Sequence, residues 1–146
     1  MKKQNIFVIR GLFVGAVFHL TCMVAVAEVA VVVGAKSTVT KLTAEQVTGI
    51  FMGKSKSFPD GSPAVAIDQT ESSPIRVEFT SKVLGKDEAQ LKSYWSRLVF
   101  TGKGAPPKEH AGSAAVKSSL ANDPKLVGYI EKSAVDASVK VVFAAP

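Results

Sequence analysis

In this 146-residue chain, the residues best placed to do chemistry lie in Asp68-Gln69-Thr70-Glu71-Ser72-Ser73-Pro74. Ala64 to Asp68 reads as a short strand. Ser73-Pro74 reads as a helix start, because serine caps free amides and proline supplies the right φ without an amide to orphan. A strand running straight into a helix start aims unpaired N–H groups and the positive end of the helix dipole at one point, which favours an anion. Ser72 and Ser73 add hydroxyl donors, and Arg76, one turn in, can reach back to the same point. A plainer role fits too: Ser73 caps, Glu71 neutralises the helix end and Arg76 is a solvated charge. Every α/β protein has such ends, so the local pattern alone favours the plainer role.

Other chemistry has less to work with. Asp68 and Glu71 are close enough for an acid/base pair, yet carboxylates at a strand-to-helix turn more often cap. His110 and scattered carboxylates lack metal-ligand spacing. Gly102-Lys103-Gly104 lacks the spacing and the Ser or Thr of a P-loop. The reading is therefore non-enzymatic, with no catalytic residue, no cofactor and no metal. Tyr94, Trp95 and Phe100 resemble an aromatic box, but their helical spacing with Leu91 and Leu98 reads as core.

The chain begins as an export signal. Lys2, Lys3 and Arg10 precede an apolar run from Gly11 to Val24, and Ala25-Val26-Ala27 has the small-x-small pattern of a cleavage site. Polar His19, Thr21 and Cys22 interrupt the run, which argues against a membrane anchor. The expectation is a signal peptide over 1–27 and one domain over 28–146, located in the periplasm. Cys22, the sole cysteine, leaves with the signal, so the mature chain needs no disulfide. The signal also holds three of the six net positive charges, and no basic run interleaves with aromatics, so nucleic acid is not an expected partner. The 119 residues left suit one core.

The elements that position the loop are legible in outline. Val29 to Val33 is a continuous β-branched run, read as a strand buried on both faces. Thr43 and Gln46 form a capping box for a helix with Ala44, Val47, Ile50 and Phe51 on one face, ended by Gly53. Phe58-Pro59-Asp60-Gly61 is a turn. Ile75, Phe79 and Val83 stripe the helix after Ser73, and Asp87 caps the next, whose Leu91, Tyr94, Trp95 and Leu98 should pack on the sheet. Ser113 is expected to cap a helix through Leu120, and Leu126 to Ile130 and Val139 to Phe143 to be strands. Strands separated by helices imply an α/β fold, with a mixed, mostly parallel sheet flanked by helices. Ligands in such sheets lie beyond the carboxyl ends of strands, here the loops after Val33, Asp68 and Ile130.

In order along the chain stand Val29 to Val33, Ile50-Phe51-Met52-Gly53-Lys54, Phe58-Pro59-Asp60-Gly61, Tyr94-Trp95, Phe100-Thr101-Gly102-Lys103-Gly104, Pro106-Pro107 and Val127-Gly128-Tyr129-Ile130. In that order and spacing they resemble the phosphate-type periplasmic solute-binding proteins of ABC importers, over nearly the whole mature chain. The resemblance implies a single lobe of the type 2 periplasmic-binding-protein fold, with phosphate or another small oxyanion as ligand and a membrane permease or sensor, or a second copy in a homodimer, as partner. It places the ligand at Gln69, Thr70, Glu71, Ser72, Ser73 and Arg76. Gln69 stands where the family has an arginine, and Pro74 and Ile75 where it has glycine and threonine, so the anion is expected to be held weakly.

Overall fold

The computed structural model describes residues 27–146; the expected signal segment otherwise lies outside the described residues. Five strands form one sheet in the order β3-β2-β4-β1-β5. They are β1 (Val29–Gly34), β2 (Val65–Gln69), β3 (Lys108–His110), β4 (Leu126–Glu131) and β5 (Val139–Ala144). The pairs β2/β3 and β2/β4 are parallel, and β1 is antiparallel to both β4 and β5. Four strands therefore run one way and β1 alone is reversed, in the mixed α/β arrangement expected. One expectation fails with that reversal. The loop after Val33 lies at the opposite end of the sheet from the loops after β2 and β4, so it cannot share a site with them.

The apolar run of β1 is covered on both sides, which is why it shows no alternation. Val29, Val31 and Val33 face a core built with Val47, Ile50 and Phe51 of α1 (Ala44–Phe51) and Ile75 and Phe79 of α2 (Pro74–Lys82). Ala30 and Val32 face Val116 and Leu120 of α4 (Gly112–Asn122). Burying each such side chain contributes roughly 1.5–3 kcal/mol relative to leaving it exposed. Gly128 permits the close approach of α4 to β4. A Cβ there would sit 2.8 Å from Val116 Cγ1 and 3.1 Å from Ile67 Cγ1.

The capping boxes Thr43/Gln46 and Asp87/Gln90 both form. Two serines expected to cap do not use their side chains that way. Ser73 holds the cap position of α2, but its hydroxyl donates to Gln69 Oε1 at 2.7 Å. Ser113 lies inside α4, whose cap position is Ala111, and its hydroxyl donates to Glu131 Oε2 at 3.0 Å. In both cases a carbonyl or carboxylate on a neighbouring strand competes successfully for the donor.

α3 (Glu88–Phe100) departs from the expected packing on the sheet. Leu91 and Trp95 join Met52 in a separate small core at the end of α1, and the Tyr94 hydroxyl donates to Met52 O at 2.7 Å. Gly53 adopts φ 69°, which ends α1 and brings its backbone against the indole. Phe100, expected in the core, is 93% exposed. α3 stops there, and the heptad-like spacing that buries Leu91 and Trp95 does not extend to Phe100. β3 carries no strand signal in the sequence, because Lys-Glu-His after two prolines has neither β-branched residues nor alternation. None of the described helices is long and apolar enough to cross a membrane.

Candidate functional site

β2 ends in Asp68 and Gln69, and five elements converge on this end. Arg76 comes from α2, Glu88 from α3, Glu109 from β3, Ser113 from α4 and Tyr129 from β4. Arg76 is buried, and its guanidinium lies 3.5 Å from Asp68, 2.9 Å from Glu88 and 2.7 Å from Glu109. It also donates to Gln69 O at 2.6 Å. Four of the five N–H donors of a guanidinium are thereby engaged. Burial works to lower the Arg76 pKa, and the bonds to Glu88, the charge of Asp68 and the bond to Glu109 outweigh it, so the group is held cationic.

Asp68 is the most enclosed of the three carboxylates. Its Oδ1 accepts from the Tyr129 hydroxyl and from Gln69 N. Burial pushes the Asp68 carboxyl above its ordinary value, against the opposing pull of the Tyr129 hydrogen bond and the Arg76 charge. Burial, and then the Asp68 charge, pushes the Tyr129 phenol up as well, so it remains a donor. Tyr129 was not among the sequence candidates. A tyrosine inside a buried strand was the available signal, since a buried phenol requires a polar partner.

The six candidate residues divide into two groups. Gln69 is 1% exposed, and its side chain donates to Tyr129 O at 2.9 Å while accepting from Ser73. Gln69, Ser73 and Arg76 thus form a connected internal network. Glu71 and Ser72 lie at the surface and Thr70 is half-buried: Thr70 and Ser72 bring their hydroxyls within 3.3 Å, and Glu71 pairs with Lys92 of α3 at 3.1 Å. Thr70 N donates to His110 O at 3.1 Å, and Ser73 N donates to Thr70 O at 2.9 Å. Among the described residues the amides of Glu71 and Ser72 have no hydrogen-bond acceptor and lie at the surface, whereas Ile75 is fully buried.

Arranged this way, the loop offers an anion backbone donors and a surface hydroxyl, while Arg76 is turned inward to carboxylates. Three carboxylates surround one guanidinium, so the charge behind the loop is net negative.

Neither a family model nor a curated protein matches the chain. Solved structures do. A protein from Clostridium perfringens, assigned as a phosphate ABC transporter substrate-binding protein and solved with bound phosphate, superposes on 80% of the chain with TM-score 0.64 and 24% identity. An ABC-type phosphate transport receptor from Vibrio cholerae also superposes on 80%, with TM-score 0.63 and 23% identity. The fold is one lobe of a periplasmic binding protein. The chain spans 44% and 45% of those two proteins, less than half of either. In this shared fold α2 follows closely on the end of β2.

Proposed function

We propose that the chain is a non-enzymatic extracytoplasmic solute-binding module that takes phosphate or a similar small oxyanion at the start of α2. The observation that carries this reading is the pair of open amides at Glu71 and Ser72, beside the Ser72 hydroxyl, just ahead of a helix N-terminus that follows a strand end. The lobe's likeness to proteins of phosphate import supports the same ligand. Binding is weak in this reading, because Arg76 is committed to carboxylates and Glu71 adds a further negative charge. A dissociation constant on the order of a millimolar, about 4 kcal/mol, is expected for the lobe by itself. A signal peptide removed after Ala27, a periplasmic location and a permease or a second copy as partner belong to the same proposal.

Amide chemical-shift titration with phosphate in low salt tests it. Saturable shifts should concentrate on residues 71–75 and diminish as salt rises. If saturating phosphate moves none of these amides, the oxyanion reading fails.

A second reading rests on an observation of its own. Phe100 and Val99 at the end of α3 are 93% and 54% exposed, as in a module that docks a transporter or sensor without holding a solute. Loss of docking to membranes containing the cognate permease in Phe100→Ser, with phosphate shifts absent, would favour this reading.

A further inference from the structure

We infer that the groove at the start of β2 is a second binding site, which takes a small organic anion, a carboxylate on an apolar body. β3 is three residues long and pairs with β2 only from Ile67 onward. Pro106 and Pro107 precede it, and proline lacks the N–H that would carry the ladder further back. Val65 and Ala66 therefore have β4 on one side and no strand on the other. The gap opens into a groove of about 670 Å³, within the range of ~300–1,000 Å³ usual for small-molecule sites. Most of its lining is apolar, including Val65, Ala66, Ile67, Pro107 and Leu126. Val65 is 49% exposed, so a hydrocarbon body gains by covering it.

Charge decides the sign of the ligand. The charged residues that line the groove are Lys56 and Lys108, joined by His110, and no carboxylate lines it. Among the described residues neither lysine enters an ion pair. Strand alternation accounts for the missing acid: Glu109 is turned to Arg76, so its neighbours Lys108 and His110 face the other way. The two lysines also stand at either end of the gap. Ala64 N donates to Lys56 O at 2.9 Å, and Lys108 lies opposite Ile67. Between them the Val65 amide is taken by Lys125 O on the β4 side, so the next one, Ala66 N, is turned to the gap. A carboxylate entering the groove finds two free ammonium groups and a main-chain donor, whereas a cation would find only like charge.

This site is independent of the oxyanion reading, which draws on amides beyond the other end of β2. The purified protein is titrated with octanoate, with octanol as an uncharged analogue and octyltrimethylammonium as a cationic one, and amide chemical shifts are followed. Saturable shifts centred on Ala66 and Lys108 are expected with octanoate. Octanol should bind roughly ten-fold more weakly and the ammonium not at all, the difference that two partly exposed ion pairs make. Lys56→Gln and Lys108→Gln replace exposed side chains that hold no ion pair, so the fold is kept. Each should weaken octanoate binding roughly three-fold, and the two together about ten-fold. The proposal is overturned if octanoate gives no saturable shift at these amides, if octanol or the ammonium matches it, or if the double variant binds it unchanged. Shifts that spread equally to Phe100 would mean adsorption to any exposed apolar surface and also overturn it. Self-association that disappears in the double variant, measured by sedimentation, would assign the groove to a second copy, with the same result. Phosphate shifts at residues 71–75 remain a separate measurement, so either reading can fail alone.

Discussion

Phe79 lies flat on Tyr129, ring centroids 4.0 Å apart and planes 7° from parallel, and the hydroxyl of that same tyrosine donates to Asp68. One side chain thus joins the main core to the charged end of β2. Tyr129→Phe keeps the stack and removes the donor, leaving a buried carboxylate short of one hydrogen bond. The cost should be about 1–3 kcal/mol in denaturant unfolding. An unchanged midpoint would mean that water replaces the phenol and the connection is incidental.

Asp68 also sets a pH dependence. Its folded pKa is raised above the ordinary 3.8, chiefly by burial. Between that value and the raised one, the folded protein keeps a proton that the unfolded chain has released. Stability should therefore fall as pH rises through this window and level off above it. Asp68→Asn should flatten that stretch of the curve. A wild-type profile that rises across the window would reverse the assigned direction.

Arg76 should be far more important to folding than an exposed charge. Arg76→Met leaves Asp68, Glu88 and Glu109 facing one another without a cation, at a cost on the order of 3 kcal/mol. Arg76→Lys should recover only part, because an ammonium cannot reproduce the fork that reaches Glu88 and Glu109 together. If the methionine variant melts with the wild type, the network does not exist in solution.

Trp95 and Phe100, both aromatic and five positions apart on α3, should behave oppositely. Trp95→Ala empties the small core against Met52 and should cost about 3 kcal/mol. Phe100→Ala should stay within ~0.5 kcal/mol. Equal effects on thermal midpoint would contradict the placement of α3.

Gly128→Ala should cost about 1–3 kcal/mol, because the new methyl would lie 2.8 Å from Val116 Cγ1. Pairing it with Val116→Ala should recover part of the loss. A neutral single substitution would show that α4 sits further from β4.

Much of the frame was legible because its signals are local. The Thr43/Gln46 box, the Asp87 cap, the left-handed Gly53 and the unbroken β1 run each declare themselves within a few residues. The site was less legible because its partners are distant in sequence. Nothing near Arg76 announces that Glu109, 33 residues on, will claim its NH1, or that Tyr129 will reach Asp68 across 61. Helical periodicity gave α3 an apolar stripe but could not say what the stripe faces, so Phe100 was read as core and α3 was placed on the sheet. Ser73 and Ser113 met the compositional rule for caps, and each was drawn away by an acceptor on another element.

The reversed β1 has a consequence for how the chain acquires its structure. It is the first strand in sequence, yet both its partners are the last two, with Val29 opposite Glu131 and Ala30 opposite Ala144. The strand at the middle of the core cannot pair until some hundred residues more have emerged, and closing so long a loop is an entropic cost met late. A chain delivered from one end, by a ribosome or through a membrane pore, therefore remains open until its final strands appear. Stalled chains ending before Leu126 should remain protease-sensitive throughout, and those reaching residue 146 should become resistant in a single step.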